Sequence, residues 1–170
     1  MNQDLTPNFK QDLTPYLDRY GRACPGFYTV VNDLHVFKKI SSYRDYYDHT
    51  IANLIIPAGE VIFIGIAPGG NPRRSFYVGP DYSGKMRATK AFVHSIVTYT
   101  HKSFYVEPIR LNDIRDIKQV KSGRSKHITD FIYRVGKTVT PHDPSFSFRP
   151  YECDAGIHFF LTLKEALNYN

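Results

Sequence analysis

The chain has no tryptophan, two cysteines and few glutamates, and each shortage excludes something. Cys24 and Cys153 lie far apart and no CxxC is present, which excludes a disulfide framework; both are read as thiols, a single bridge being the alternative. The longest apolar run, Val61 to Ala67, is too short to span a bilayer. The start, Met1-Asn2-Gln3-Asp4-Leu5, has neither a basic nor an apolar leader region, so secretion through a signal peptide is not expected. There is no HExxH, no Gly-Lys-[Ser/Thr] phosphate loop, and no RRM, KH or zinc-finger signature. Glu60, Glu107, Glu152 and Glu165 are the only glutamates. Glu165 belongs to a capping box, so an acid–base enzyme would have to bring Glu60, Glu107 or Glu152 to a histidine such as His158.

What is abundant is aromatic. Thirteen tyrosines and 12 phenylalanines make 15% of the chain, which favours strands and contact surfaces over a helical bundle. Apolar residues are 42% and mean hydropathy is −0.37, enough for a real core. The length of 170 residues suits one domain. The net charge is +6, and much of it is local. Arg110, Arg115, Lys118, Lys121, Arg124 and Lys126 face only Asp113 and Asp116 in the same stretch.

Along the chain, Gln3-Asp4-Leu5-Thr6-Pro7 is echoed by Gln11-Asp12-Leu13-Thr14-Pro15. Thr-Pro predicts a short helix from Pro15 to Tyr20, ended by Gly21; the alternative is an extended docking arm. From Gly26 the pattern is β. Residues 27–31 and 35–40 flank Asn32-Asp33 and predict a hairpin. Residues 51–56 and 61–66 are strands joined by Pro57-Ala58-Gly59-Glu60, and 75–78, 91–97, 103–107 and 131–135 complete the β set. Residues 110–126 read as a solvated loop. Thr162-Leu163-Lys164-Glu165 opens a short last helix through a capping box. The expected fold is α+β: a single domain (27–170), a mostly antiparallel sheet or half-barrel, with short helices near both ends and an N-terminal arm (1–26).

Three segments carry a resemblance. They are Lys85-Met86-Arg87-Ala88-Thr89-Lys90-Ala91, Tyr133-Arg134-Val135-Gly136-Lys137-Thr138-Val139, and Glu152-Cys153-Asp154-Ala155-Gly156-Ile157-His158-Phe159-Phe160-Leu161-Thr162. Together the chain resembles an uncharacterised family scattered through giant DNA viruses and tailed phages. Met86 departs from it, since the family usually has Cys there. The resemblance implies a viral origin and a shared fold, and carries no activity. Gly156-Ile157-His158-Phe159 followed by Ala166-x-x-Tyr169 is also similar to the nicotinamide-holding segment of poly-ADP-ribose polymerases. That family's Ser in the strand–helix loop and its downstream catalytic glutamate have no counterpart here.

The candidate sites follow from these pieces. Arg73 and Arg74, after the turn Pro68-Gly69-Gly70-Asn71-Pro72, could join Lys85, Arg87 and His158 around an anionic ligand. Lys118, Lys121, Arg124 and Lys126 could meet an acidic partner or nucleic acid. His142, Cys153 and His158 could be imagined around zinc, or Cys153 as a nucleophile, but nothing flanking them is recognisable; no catalytic residue, metal or cofactor is expected. The expectation is therefore a virus-encoded, non-enzymatic structural or interaction protein, a minor component of a virion or other viral assembly, found in the virion or host cytoplasm. The rival is a nucleotide-ligand-binding protein or a degenerate ADP-ribosyltransferase-like enzyme.

Overall fold

The computed structural model describes residues 12–16, 24–41, 49–65, 85–101, 114–128, 130–141 and 155–169. Eleven strands and one α-helix are present among them. In chain order they are β1 (Gly26–Thr29), β2 (Leu34–Ser41), β3 (His49–Ile56), β4 (Val61–Ile64), β5 (Met86–Ala88) and β6 (Ala91–His101). Then come β7 (Ile114–Gln119), β8 (Ser122–Arg124), β9 (Ile132–Arg134), β10 (Thr138–Val139), β11 (Ile157–Phe159) and α1 (Leu163–Leu167). Strands β1-β4-β5-β11 form one sheet; β10-β6-β3-β2-β8-β9 form the other, with β7 also on β6. Every pairing is antiparallel.

The frame is one long hairpin that turns a corner. Leu34 stands opposite Ile56 in the larger sheet, and Thr29 opposite Val61 in the smaller. Four residues lie between the two pairs on each arm, 30–33 and 57–60, so the register is unbroken across the corner. Val30 N–H donates to the Glu60 carbonyl (2.9 Å) and Gly59 N–H to the Val30 carbonyl (2.7 Å). Ala58 N–H donates to Asp33 Oδ1 (3.0 Å), and Gly59 takes φ +85°, a conformation glycine adopts without steric cost. The hairpin expected between residues 27–31 and 35–40 is thereby corrected. Asn32-Asp33 lies where one arm bends from sheet to sheet, and its two flanks do not pair with each other.

A seam joins the sheets elsewhere. Phe37 and Phe160 exchange two backbone hydrogen bonds of 2.8 Å each, tying β2 to the residue after β11. The result is a nearly all-β half-barrel, which corrects the α+β expectation. Near the N-terminus the described residues hold one 3-10 turn, Thr14–Tyr16, and the rest of the helix expected from Pro15 to Tyr20 lies outside the described residues. Tyr16 is drawn into the core, edge-on to Tyr28 at 5.8 Å. The stretch expected as a loop over 110–126 is also corrected where it is described. Ile114 is buried, and residues 114–119 and 122–124 are ladder strands. The expected strands at 75–78 and 103–107 lie outside the described residues.

Two apolar clusters hold the elements. The larger fills the interior with Leu34, Val36 and Ile40 of β2, Leu54 and Ile56 of β3, and Ile157 and Phe159 of β11, among others. The smaller lies under α1, where Leu163, Ala166 and Leu167 meet Ile51, Val97, Tyr99 and Phe160. Two irregularities adjust the long β6. Its His94 is the extra residue of a bulge against β3, and Asp116 of β7, at φ +50°, sits in a second bulge. Thr100 Oγ1 donates to Asp116 Oδ2 (2.8 Å), which offsets part of the strain there. Gly123 is required by close approach: a Cβ there would fall 2.6 Å from Ile40 Cδ1 and 3.0 Å from the Ser41 carbonyl.

The capping box predicted for the last helix is present. Glu165 N–H donates to Thr162 Oγ1 (3.3 Å), and Thr162 N–H donates to Glu165 Oε2 (3.1 Å). Thr162→Ala removes the cap of a helix whose other face covers the smaller cluster, and is expected to lower stability by about 1 kcal/mol. Denaturant unfolding measures this; coincident midpoints for mutant and parent would contradict the role of the cap.

Candidate functional site: a lysine-rich cavity

Strict alternation along β2 places Lys38 in phase with Leu34, Val36 and Ile40, whose side chains face the interior. A lysine at an interior position needs a reason. It opens onto a cavity of about 660 Å³ between β2, β11, the segment joining β8 to β9, and the end of α1. Lys38, Lys39, Lys85 and Lys126 line the cavity together with His127 and His158. Asp130 is the one carboxylate among its described lining residues. Much of the remaining wall is aromatic: Tyr133 with Phe131 at 5.1 Å between centroids, and Tyr169 with Phe160 at 5.2 Å.

The four lysines are held in different ways. Lys38 Nζ donates to the His158 carbonyl (2.9 Å) and lies 5.8 Å from the centroid of Tyr133. Burial, and secondarily the charge of Lys85, pull its ammonium down to about 7. Lys39, on the opposite face of β2, donates to the carbonyls of Leu167 (3.1 Å) and Tyr169 (2.7 Å). It thus terminates α1, where the carbonyl ends favour a cation. Burial, then Lys126, bring it to about 8. Lys85 donates to Tyr169 Oη (3.2 Å) and stands 5.4 Å over that ring. Lys126 is exposed at the rim. His127 is held below the usual imidazole value by burial first, then by Lys85, Lys38 and Lys126. Among the described lining residues the site is a concentration of positive charge, four lysines against one carboxylate.

Of the ligand residues expected from sequence, Lys85 and His158 meet in this cavity, while Arg73 and Arg74 lie outside the described residues. Arg87 is adjacent to His158 in the β5–β11 ladder but does not line the cavity. It is 1% exposed, its guanidinium lies 4.4 Å over Phe63, and Nη1 donates to the Ala155 carbonyl (2.8 Å). Gly156 permits that packing: at φ +153°, a Cβ would come 2.9 Å from Arg87 Cβ. Of the expected partner-binding residues, only Lys126 reaches the cavity. Lys118 and Lys121 are exposed elsewhere, and Arg124 is half-buried in β8. Glu60 is tied to Lys90 and Thr89 near the corner, and Glu165 is in the cap. Glu107, Glu152, His142 and Cys153 lie outside the described residues, and with them the conceivable zinc and thiol arrangements. Sequence reasoning missed Lys38, Lys39, His127, Tyr133 and Tyr169. The signal for Lys38 was there: a lysine in the interior phase of an otherwise apolar strand.

A lysine whose folded value lies far below its unfolded one binds fewer protons folded than unfolded between about 7 and 10. Stability is therefore penalised in full below about pH 7 and recovers as pH rises toward the unfolded lysine value. Lys38→Met removes that penalty. Its melting temperature relative to the parent is expected to be more favourable at about pH 6 than at about pH 9. An unchanged difference across that range would mean that Lys38 is not desolvated in solution.

Among the described residues no helix is long and apolar enough to cross a membrane. No curated protein and no solved structure matches the chain. Residues 24–166 match the profile of a family of unknown function, DUF5758, and the chain belongs to that family.

Proposed function

We propose that the protein binds a small organic anion in this cavity, with a nucleotide-like combination of phosphate and ring as the best-fitting class. The carrying observation is the charge inventory: four lysines and one carboxylate among the described lining residues of a cavity walled by tyrosine and phenylalanine. Such a cavity is short of negative charge, and an anionic group supplies it. Lys85 and Lys126 offer donors to phosphate oxygens, and Tyr169 and Tyr133 offer faces for a ring. Lys38 and Lys39 add charge when protonated, so binding and proton uptake are coupled.

A second reading, a structural component of a viral assembly, is favoured by a different surface. Strand β7 and the residue that precedes β8 expose Lys118 and Lys121 away from the cavity. The viral origin is supported by the closing Gly156-Ile157-His158-Phe159-Phe160 motif and its resemblance to giant-virus and phage proteins. Lys118→Gln with Lys121→Gln is expected to lower the salt needed to elute the protein from a polyanion column. An unchanged elution would remove this surface from partner contact.

For the cavity, ADP titrated by calorimetry is expected to bind with proton uptake near neutral pH. Affinity should fall as pH rises through about 7 to 9, because Lys38 and Lys39 lose charge over that range. Lys85→Gln should weaken binding about ten-fold, on the order of 1.4 kcal/mol. Pyrophosphate, which lacks the ring, should bind more weakly than ADP. Absence of binding by either anion would sink the proposal.

A further inference from the structure

We infer that Lys38 is a nucleophilic amine that condenses with the carbonyl group of an anionic aldehyde or ketone held in the cavity, forming an imine. The inference rests on the anion-binding reading and adds a covalent step to it. Four observations converge on this one lysine. It occupies an interior-phase position of β2, half-buried and opening onto a cavity large enough for a substituted ring. Its described polar contact is a carbonyl, that of His158, which engages one N–H and leaves the nitrogen lone pair of the neutral amine uncommitted. The groups whose charge acts on it are cationic: Lys85 is the one that matters, and no described carboxylate offsets it. Its ammonium is pulled down to about 7, so a large share is neutral at physiological pH.

The neighbouring lysines are unsuited to that role and suited to others. Lys39 is committed to two carbonyls at the end of α1. Lys85 is held against Tyr169, where its charge can polarise a carbonyl oxygen beside Lys38. Lys126 is exposed at the rim, placed to hold the ligand's anionic group. In the step itself the Lys38 nitrogen lone pair forms a bond to the carbonyl carbon. The carbon–oxygen π pair moves to oxygen, which takes up a proton. The resulting carbinolamine loses that oxygen as water, both hydrogens of the water deriving formally from the amine. The nitrogen pair then closes the C=N bond. No oxidant, reductant or further reactant is required.

Pyridoxal 5′-phosphate is a suitable probe, since it joins an aldehyde to a ring and a phosphate. The full chain is incubated with one equivalent at neutral pH, reduced with cyanoborohydride, and mapped by peptide mass spectrometry. Lys38 is expected to carry the adduct at about ten-fold or more the level of any other lysine. Pyrophosphate should suppress it, and unphosphorylated pyridoxal should label Lys38 more slowly. Lys38→Arg, whose guanidinium does not form the imine, should lose the dominant adduct. Labelling of Lys126 or surface lysines with Lys38 unmodified would overturn the imine. If ADP binds the parent in that case, only the covalent step fails; if ADP does not bind, the anion reading fails with it. Should Lys38→Arg not fold, the adduct map of the parent decides alone.

Discussion

Two backbone hydrogen bonds between Phe37 and Phe160 are the join on which the rest of the molecule depends. They bring a strand of the larger sheet against the end of the smaller sheet's last strand, closing one side of the half-barrel. Because side chains alternate, this one contact fixes three others. Lys38, the next residue along, is set so that its amine reaches the His158 carbonyl. Lys39, one further, points to the other face and meets the carbonyl end of α1. Phe160 itself begins the turn into the capping box and anchors the cluster beneath the helix. The cavity is the space left where the two sheets diverge from that join.

The cavity's electrostatics follow from its construction. Each lysine is tolerated for a local reason: an aromatic face, a helix end, a carbonyl, or solvent at the rim. None of these contacts carries a full negative charge, so the costs of burial and mutual repulsion are only partly offset. Two of the four ammonium groups are accordingly displaced toward neutrality. A cavity arranged this way carries a cost in stability that a fully apolar interior would not.

Sequence showed the local pieces more clearly than their assembly. The capping box at Thr162 and Glu165 was legible because both halves lie within one turn of helix. The strands at β2, β3, β6 and β9 were legible from β-branched and aromatic runs. The corner at Val30–Asp33 and Pro57–Glu60 was not, since Asn32-Asp33 has the same turn chemistry whether the chain doubles back or bends between sheets. Thr14-Pro15 marked a helical start, and the described residues there form a 3-10 turn whose Tyr16 packs edge-on against Tyr28. β7 was hidden by its charges: as a partner of β6 it buries Ile114, half-buries Ile117 and exposes the rest. In the cavity, Lys85 and His158 were found through a motif, while Lys38 and Lys39 come from a distant hairpin that no local pattern connects to it.

The unbroken register of the bent hairpin has a consequence for how the chain comes together and apart. Both sheets are built on the same ribbon, so zipping that begins near the β2–β3 end runs through the corner into β1 and β4 without a new long-range search. The loop-closure cost is met once and serves two layers. In the reverse direction, opening that starts at the β1–β4 end runs back through the Val30–Glu60 contact toward β2 and β3. The corner makes the two layers neighbours along one ribbon, and amide exchange on either side of it would report how far an opening runs.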